Sequence, residues 1–187
     1  MKKIIHLGLW ALCISALLNL SACDKLKEAA KVNLNLSNND GNFTIPIILN
    51  TGQQNVGVDE IYINLDSLIK AQNSKVGANN IREVKITKCQ LDLSNGDAEN
   101  NFSALQSCSM EIKSNVNTAY IKIAGINDNP DVESQSLNLP VESQLDLKDY
   151  FLSAHTFGLQ LSANARKTTT KELQCQVTIH YTLVAGL

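Results

Sequence analysis

From Leu173 to Leu183 apolar and polar side chains alternate without a break. Leu173, Cys175, Val177, Ile179, Tyr181 and Leu183 fall on one parity, and Gln174, Gln176, Thr178, His180 and Thr182 on the other. A period of two sustained over that length fits a strand with one face in a core and one in water. The same period recurs at Val32–Leu36, Phe43–Leu49, Ile61–Leu65, Cys89–Leu93, Cys108–Ile112, Ala119–Ile123, Leu137–Val141 and Phe157–Ala163. No long segment carries the 3.6-residue period of an amphipathic helix. Asp66–Gln72, with Asp66 as N-cap, and Leu145–Leu152 read as short helices, and Phe102–Ser107 as one turn. The pattern predicts an all-β fold: a two-layer antiparallel β-sandwich with one to three short helices, a closed barrel being the alternative.

Local chemistry refines this. Asn38-Asn39-Asp40-Gly41 separates two alternating runs and reads as a hairpin turn, because these residues tolerate positive φ. Pro46 has no N–H to give to a ladder, so the run that holds it belongs at a sheet edge.

The first residues have a different character. Met1-Lys2-Lys3 is a positive n-region, and Ile4–Leu18 is an apolar run too short to span a bilayer well. The segment ends in Leu20-Ser21-Ala22-Cys23, which resembles the bacterial lipobox. The resemblance implies a signal peptide over residues 1–22, acylation of Cys23 and cleavage before it. It further implies diacylglyceryl and N-acyl chains on Cys23, enough buried hydrocarbon for stable membrane anchoring. Residues 23–31 then form a charged tether and residues 32–187 a single domain. The expected address is the cell envelope, with the outer membrane as first choice. Asp24 after the cysteine resembles an inner-membrane retention signal in some bacteria, which keeps that membrane open.

Removing residues 1–22 takes away Lys2 and Lys3 and leaves 14 basic against 18 acidic side chains. That balance excludes nucleic acid as the expected partner, since phosphate binding needs a concentrated basic face. The run VKITKCQLDL, the segment NFSAL, LDLKDYF and the alternating final strand together resemble an immunoglobulin-like sandwich of uncharacterised Bacteroidetes lipoproteins. The resemblance implies that fold and the envelope address, and no site.

Few residues offer chemistry. Asn127-Asp128-Asn129-Pro130-Asp131 resembles the calcium-binding linker of cadherins, with Asn127, Asp128 and Asp131 as the candidate oxygen ligands. Turn chemistry before a proline explains the same residues without a metal, so no metal and no cofactor is expected. Past Cys23 only His155 and His180 remain, neither with a second His, Cys or Glu one helical turn away to build a zinc site. Glu142, Asp146 and Asp149 can be imagined as paired carboxylates for glycoside hydrolysis, but surface carboxylates on a short helix are the expected reading, since nothing in the sequence supplies the apolar pocket that raises an acid's pKa. No Gly-x-Ser-x-Gly elbow is present. Beyond Trp10 the chain has no tryptophan, which disfavours ring-stacking sugar sites. Tyr150-Phe151 is expected to face the core.

Cys89, Cys108 and Cys175 lie on the apolar parity of their strands, in a compartment where disulfides form. Cys89 with Cys108 closes the shortest loop between consecutive strands and ranks first. Cys89 with Cys175 would resemble the inter-sheet bridge of immunoglobulin domains, and three buried thiols remain the other outcome. The reading that results is a lipid-anchored envelope lipoprotein. Its sandwich serves as a non-enzymatic binding, adhesion or assembly module for an envelope protein or glycan. The alternative is an envelope hydrolase acting on glycan or peptide polymers.

Overall fold

The computed structural model describes residues 31–152 and 154–186. The signal peptide, Cys23, Asp24 and the tether up to residue 30 lie outside the described residues. The elements are β1 (Lys31–Ile45), β2 (Gly52–Tyr62), α1 (Leu65–Gln72), β3 (Ile81–Leu93), β4 (Leu105–Ser114), β5 (Ile121–Ile126), β6 (Ser136–Leu139), α2 (Lys148–Phe151), β7 (Thr156–Ala165) and β8 (Leu173–Gly186).

The strands form two four-stranded antiparallel sheets, β1-β8-β3-β6 and β2-β7-β4-β5. The inward parity of each sheet buries Leu36, Ile86, Val177 and Ile179 on one side against Met110, Ile112, Leu159 and Leu161 on the other. The two-layer antiparallel sandwich expected from the alternation is therefore the architecture. Its pairing is nested: β1 pairs with β8, β2 with β7, β3 with β6 and β4 with β5. Such nesting is what one long hairpin gives when it is rolled up, and eight strands so arranged make a jelly roll. The immunoglobulin order implied by the resemblance places the first two strands side by side in one sheet; here β1 and β2 belong to opposite sheets.

The roll has a visible register. Leu34 faces Leu183 in one sheet, and Gln53 faces Asn164 in the other, nineteen residues forward on one side and nineteen back on the other. Segments 31–62 and 156–186 are thus one antiparallel ribbon that crosses from sheet to sheet. Gly52, at φ +112°, takes the left-handed backbone needed where the first side re-enters a strand.

Several local expectations are corrected. Asn38–Gly41 is no hairpin: β1 runs through it, with Asn39 opposite Thr178 and Gly41 opposite Val177, so that Asp40 is the extra residue of a β-bulge. The bulge explains why the buried parity changes from Leu34 and Leu36 to Phe43 and Ile45. Gly41 packs so tightly that a Cβ there would sit 3.1 Å from Asp59 Oδ2 and 3.3 Å from Val177. Pro46 follows the last residue of β1, which is indeed an edge strand. The cap of α1 is Asn64, whose Oδ1 accepts from the Ser67 N–H at 3.0 Å. Asp66 instead pairs with Lys70 one turn on and accepts from the Ala78 N–H. Of Leu145–Leu152 only Lys148–Phe151 is helical. Phe151 packs on Phe157 and Tyr181 as expected, while Tyr150 is half-buried.

The two long sides of the sandwich are closed differently. Between the edges of β1 and β2, Asp59 accepts from the Asn42 N–H at 2.9 Å, and Gln72 of α1 donates to the Asn35 carbonyl. On the other side, residues past β6 cross to β5: Gly125 N–H donates to Pro140 O, Glu142 N–H donates to Ile123 O, and Ala124 bridges Val141. Edge groups that would otherwise invite pairing are thereby satisfied.

No disulfide joins Cys89, Cys108 and Cys175, which are all buried, so the ranked Cys89–Cys108 bridge is not formed. The cause is topological. β3 and β4 are consecutive in sequence but lie in opposite sheets, so sequence adjacency misleads here. Cys89 stands level with Ile179 on β8, four residues from Cys175. That is about 13 Å along a strand, beyond the roughly 7 Å that a bridge tolerates.

Candidate binding site

β1 starts at one end of the sandwich, beside the end of β8 and the start of β3. The loops 46–51, 94–104, 127–135 and 166–172 gather at the opposite end, because β1, β3, β5 and β7 all finish there. Buried asparagines organise this end. Asn129 donates from Nδ2 to the carbonyls of Phe102 and Leu105 at 2.8 and 2.9 Å. Asn101 donates to the carbonyls of Asp97 and Ala98, and Asn100 Oδ1 accepts from the Thr170 N–H at 2.7 Å. Asp97 accepts from Lys171, from the Asn100 side chain and from the Asn100 and Glu99 N–H groups. The Lys171 ammonium, followed by the Asn100 donors, holds the Asp97 carboxyl far below the usual carboxylate range.

The outward face of β2-β7-β4-β5 begins at this loop end. The register sets Gln53, Asn164 and Ser107 in one row, Ser162, Ser109 and Gly125 in the next, and Gln160, Glu111 and Lys122 in a third. Bulges at Val56, Gln106 and Ile123 increase the local twist on three sides of these rows. The result is a trough of about 390 Å³ on the sheet face. Small serines, Ser107, Ser109 and Ser162, line it together with the longer Gln53, Lys122 and Asn127, and with Ile126.

On the outward face of β1-β8-β3-β6 some polar side chains bond one another: Thr182 donates to Asn35 at 3.1 Å, Thr44 to Gln174 at 3.3 Å, and Gln90 to Asp92 and Ser136, while Gln176, His180 and Asn138 face solvent. In the trough, the side chains of Gln53, Ser107, Ser109, Asn127 and Asn164 have no protein partner among the described residues, and Ser162 only accepts from Gln160 at 3.5 Å. Lys122 is paired with Glu142 at 3.1 Å on the rim. The site therefore offers hydroxyl and amide groups, uncharged apart from that rim pair, whose hydrogen-bonding capacity is open.

The residues singled out in the sequence go elsewhere. Asn127 lines the trough, Asp128 is exposed, and Asp131 pairs with Lys167, so the candidate calcium run is a strap pinned by Asn129. Among the described residues no three His, Cys, Asp or Glu side chains gather as a metal site. His180 lies on the outward face of β8, in the other sheet from β7, and His155, just before β7, stacks on Tyr62. Asp146 accepts from the Val84 and Lys148 N–H groups, Asp149 is exposed, and Glu142 is held by Lys122. The structure thus brings none of these carboxylates together in a cleft. Burial pushes the Cys108 and Cys175 thiols up to about 12, the state of inert core groups.

No protein-family model matches the chain, and no curated protein matches it. Among solved structures, a putative secreted protein from Eubacterium rectale superposes with a TM-score of 0.41 at 11% identity, over 84% of this chain and 41% of that one. The infectious bursal disease virus Gx strain structure superposes with a TM-score of 0.39 at 8% identity, over 83% of this chain and 32% of that one. This chain therefore spans about a third of the length of that viral chain.

Proposed function

We propose that the protein is a lipid-anchored lipoprotein of the bacterial envelope. Its jelly-roll domain is a non-enzymatic binding module that engages an envelope protein or glycan through the trough on β2-β7-β4-β5. Two features support the reading. The lipobox Leu20–Cys23 and the signal before it supply the anchor. The open hydrogen-bonding groups of Gln53, Ser107, Ser109 and Asn164 supply the recognition surface, and they sit toward the end remote from Lys31, facing away from the anchor.

The observation that carries the reading is the convergence of uncharged hydroxyl and amide groups in the trough. Gln53, Ser107, Ser109, Ser162 and Asn164 come from three adjacent strands, and the bulges around them bend that part of the face into a hollow. The outer membrane is the favoured destination, and Asp24 keeps the inner membrane as the alternative.

A test uses the lipidated protein immobilised through its membrane, probed with a glycan array and with isolated peptidoglycan and envelope proteins. Ser109→Arg and Ser162→Arg fill the trough without touching the core, and each should abolish retention of whichever probe binds. Unchanged binding by both variants contradicts the assignment of the trough. Turnover of a bound glycan or peptide would move the protein to the hydrolase reading.

A further inference from the structure

The end of the sandwich that faces the tether differs in chemistry from the loop end. Tyr62, 70% exposed at the end of β2, stacks on exposed His155 with ring centroids 6.3 Å apart. Val116, 49% exposed, stands in the same corner, because Asn115 accepts from the His155 N–H and donates its own N–H to Thr156. Lys113 lies 4.9 Å from the ring of Tyr120 just beyond. Tyr150 is half-buried on α2, which makes three of the four tyrosines residents of this end. The segments of this end carry Lys70, Lys75, Arg82, Lys113 and Lys148 together with Asp66, Glu83, Glu142, Asp146 and Asp149, and Lys70 is paired with Asp66.

The loop end is the more acidic of the two and shows no exposed aromatic among the described residues. Its loops carry Asp97, Glu99, Asp128, Asp131, Glu133 and Glu172 against Arg166, Lys167 and Lys171, and their one aromatic, Phe102, is buried. Its exposed Leu49 and Val132 stand among those acids, in a field that an anionic surface repels.

We propose that the Tyr62–His155–Val116 corner rests in the headgroup layer of the bilayer that holds Cys23, with the surrounding cations against anionic lipid headgroups. This rests on the lipoprotein reading. The seven residues between Cys23 and Lys31 reach about 25 Å when fully extended, so this end of the domain cannot leave the neighbourhood of the surface. Tyrosine and histidine offer an apolar body with a polar tip, the combination that settles at membrane interfaces. Lysines within a Debye length of anionic lipids are drawn to them. Docking would fix the orientation of the domain and turn the trough and loop end away from the membrane.

The experiment uses the mature lipidated protein in phosphatidylcholine vesicles containing phosphatidylglycerol, with bromine-labelled acyl chains as quencher. The mature chain has no tryptophan, so Tyr62→Trp or Val116→Trp each gives a single reporter, and Leu49→Trp reports the far end. Both corner probes should shift to the blue on reconstitution and lose intensity to brominated lipid. The Leu49→Trp probe should do neither, and added salt should restore part of the corner signal. If the protein floats with the vesicles but its corner probes are quenched no more than Leu49→Trp, the docking proposal is wrong and the anchor stands. Failure to float removes the anchor reading and the docking with it. A corner probe already blue-shifted in the unlipidated Cys23→Ser protein in plain buffer shows that residues 24–30 or a second copy cover the corner, which also overturns the proposal.

Discussion

Ile48 and Thr169 exchange two hydrogen bonds where the terminal ribbon passes from one sheet to the other. The Thr169 N–H donates to the Ile48 carbonyl at 3.0 Å, and the Ile48 N–H donates to the Thr169 hydroxyl at 2.9 Å. Both residues are buried, so the pair continues the ladder through a crossing where no sheet exists to carry it. Thr169→Val keeps the shape and removes the acceptor, leaving a buried N–H unsatisfied. It should cost about 1–3 kcal/mol. Thermal unfolding should register this as a fall of about 2–4 °C for each kcal/mol, and an unchanged midpoint would show that the crossing is held by something else.

Asn129→Ala should loosen the loop end in the same way. Its amide serves two buried carbonyls, those of Phe102 and Leu105, and truncation strands both at a cost on the order of 1–3 kcal/mol each. Amide exchange should accelerate in residues 102–106 and 127–131 while β8 keeps its protection. Metal titration of the unmodified protein should leave that exchange unaltered, since this run is a strap.

The three thiols should resist alkylation in the native state and react together on unfolding, because access and not pairing limits them. Reaction without denaturant at Cys108 would contradict its burial. The same thiols give an alkaline limit. Burial raises Cys108 and Cys175 from 9.0 to about 12, so the folded state holds protons that the unfolded chain releases. Their contribution is fully present below pH 9 and is lost as pH climbs toward 12. Cys108→Ala should flatten the decline in stability over that window.

At the other end of the scale, Asp66, Asp97 and Asp131 are all held below their ordinary value of 3.8, each first by its lysine partner: Lys70, Lys171 and Lys167. A depressed folded pKa gives stability that is present above about pH 4 and lost as acid titrates the folded group. Exposure keeps each contribution small. Asp97→Asn should therefore reduce the slope of stability against pH below 4, and a slope unchanged by that substitution would show that Lys171 does not hold the carboxylate.

The legible part of the fold was the part governed by period two. The inward parity of β4, β7 and β8 could be read residue by residue, because a sheet with one wet face leaves no other pattern. β1 was misread because Asn38–Gly41 has the composition of a turn. The clue lay in the parity change from Leu36 to Phe43, which a single bulged residue produces inside one strand. The nested order was hidden, since strand partners are set by side-chain fit between β1 and β8 across nearly the whole chain. That omission also misplaced the cysteines: once β3 and β4 are known to lie in opposite sheets, a Cys89–Cys108 bridge loses its premise.

The trough was illegible for a related reason. Ser107, Ser109, Ser162 and Asn164 look in sequence like the wet parity of any strand. Only the pairing of β4 with β7, and the bulges around it, make them neighbours in a concave surface. Asn127 was singled out for cation chemistry and instead serves as a neutral wall of that surface.

The central claim is that this domain is displayed from a membrane by the lipid on Cys23. Fractionation of cells that make the intact protein and the Cys23→Ser variant tests it most directly, with the N-terminal peptide examined by mass spectrometry. The intact protein should sediment with membranes and yield a peptide that begins at Cys23 and carries acyl chains, while the variant should appear in the soluble fraction. Membrane retention of the Cys23→Ser variant, or an intact peptide free of acyl groups, would contradict the account.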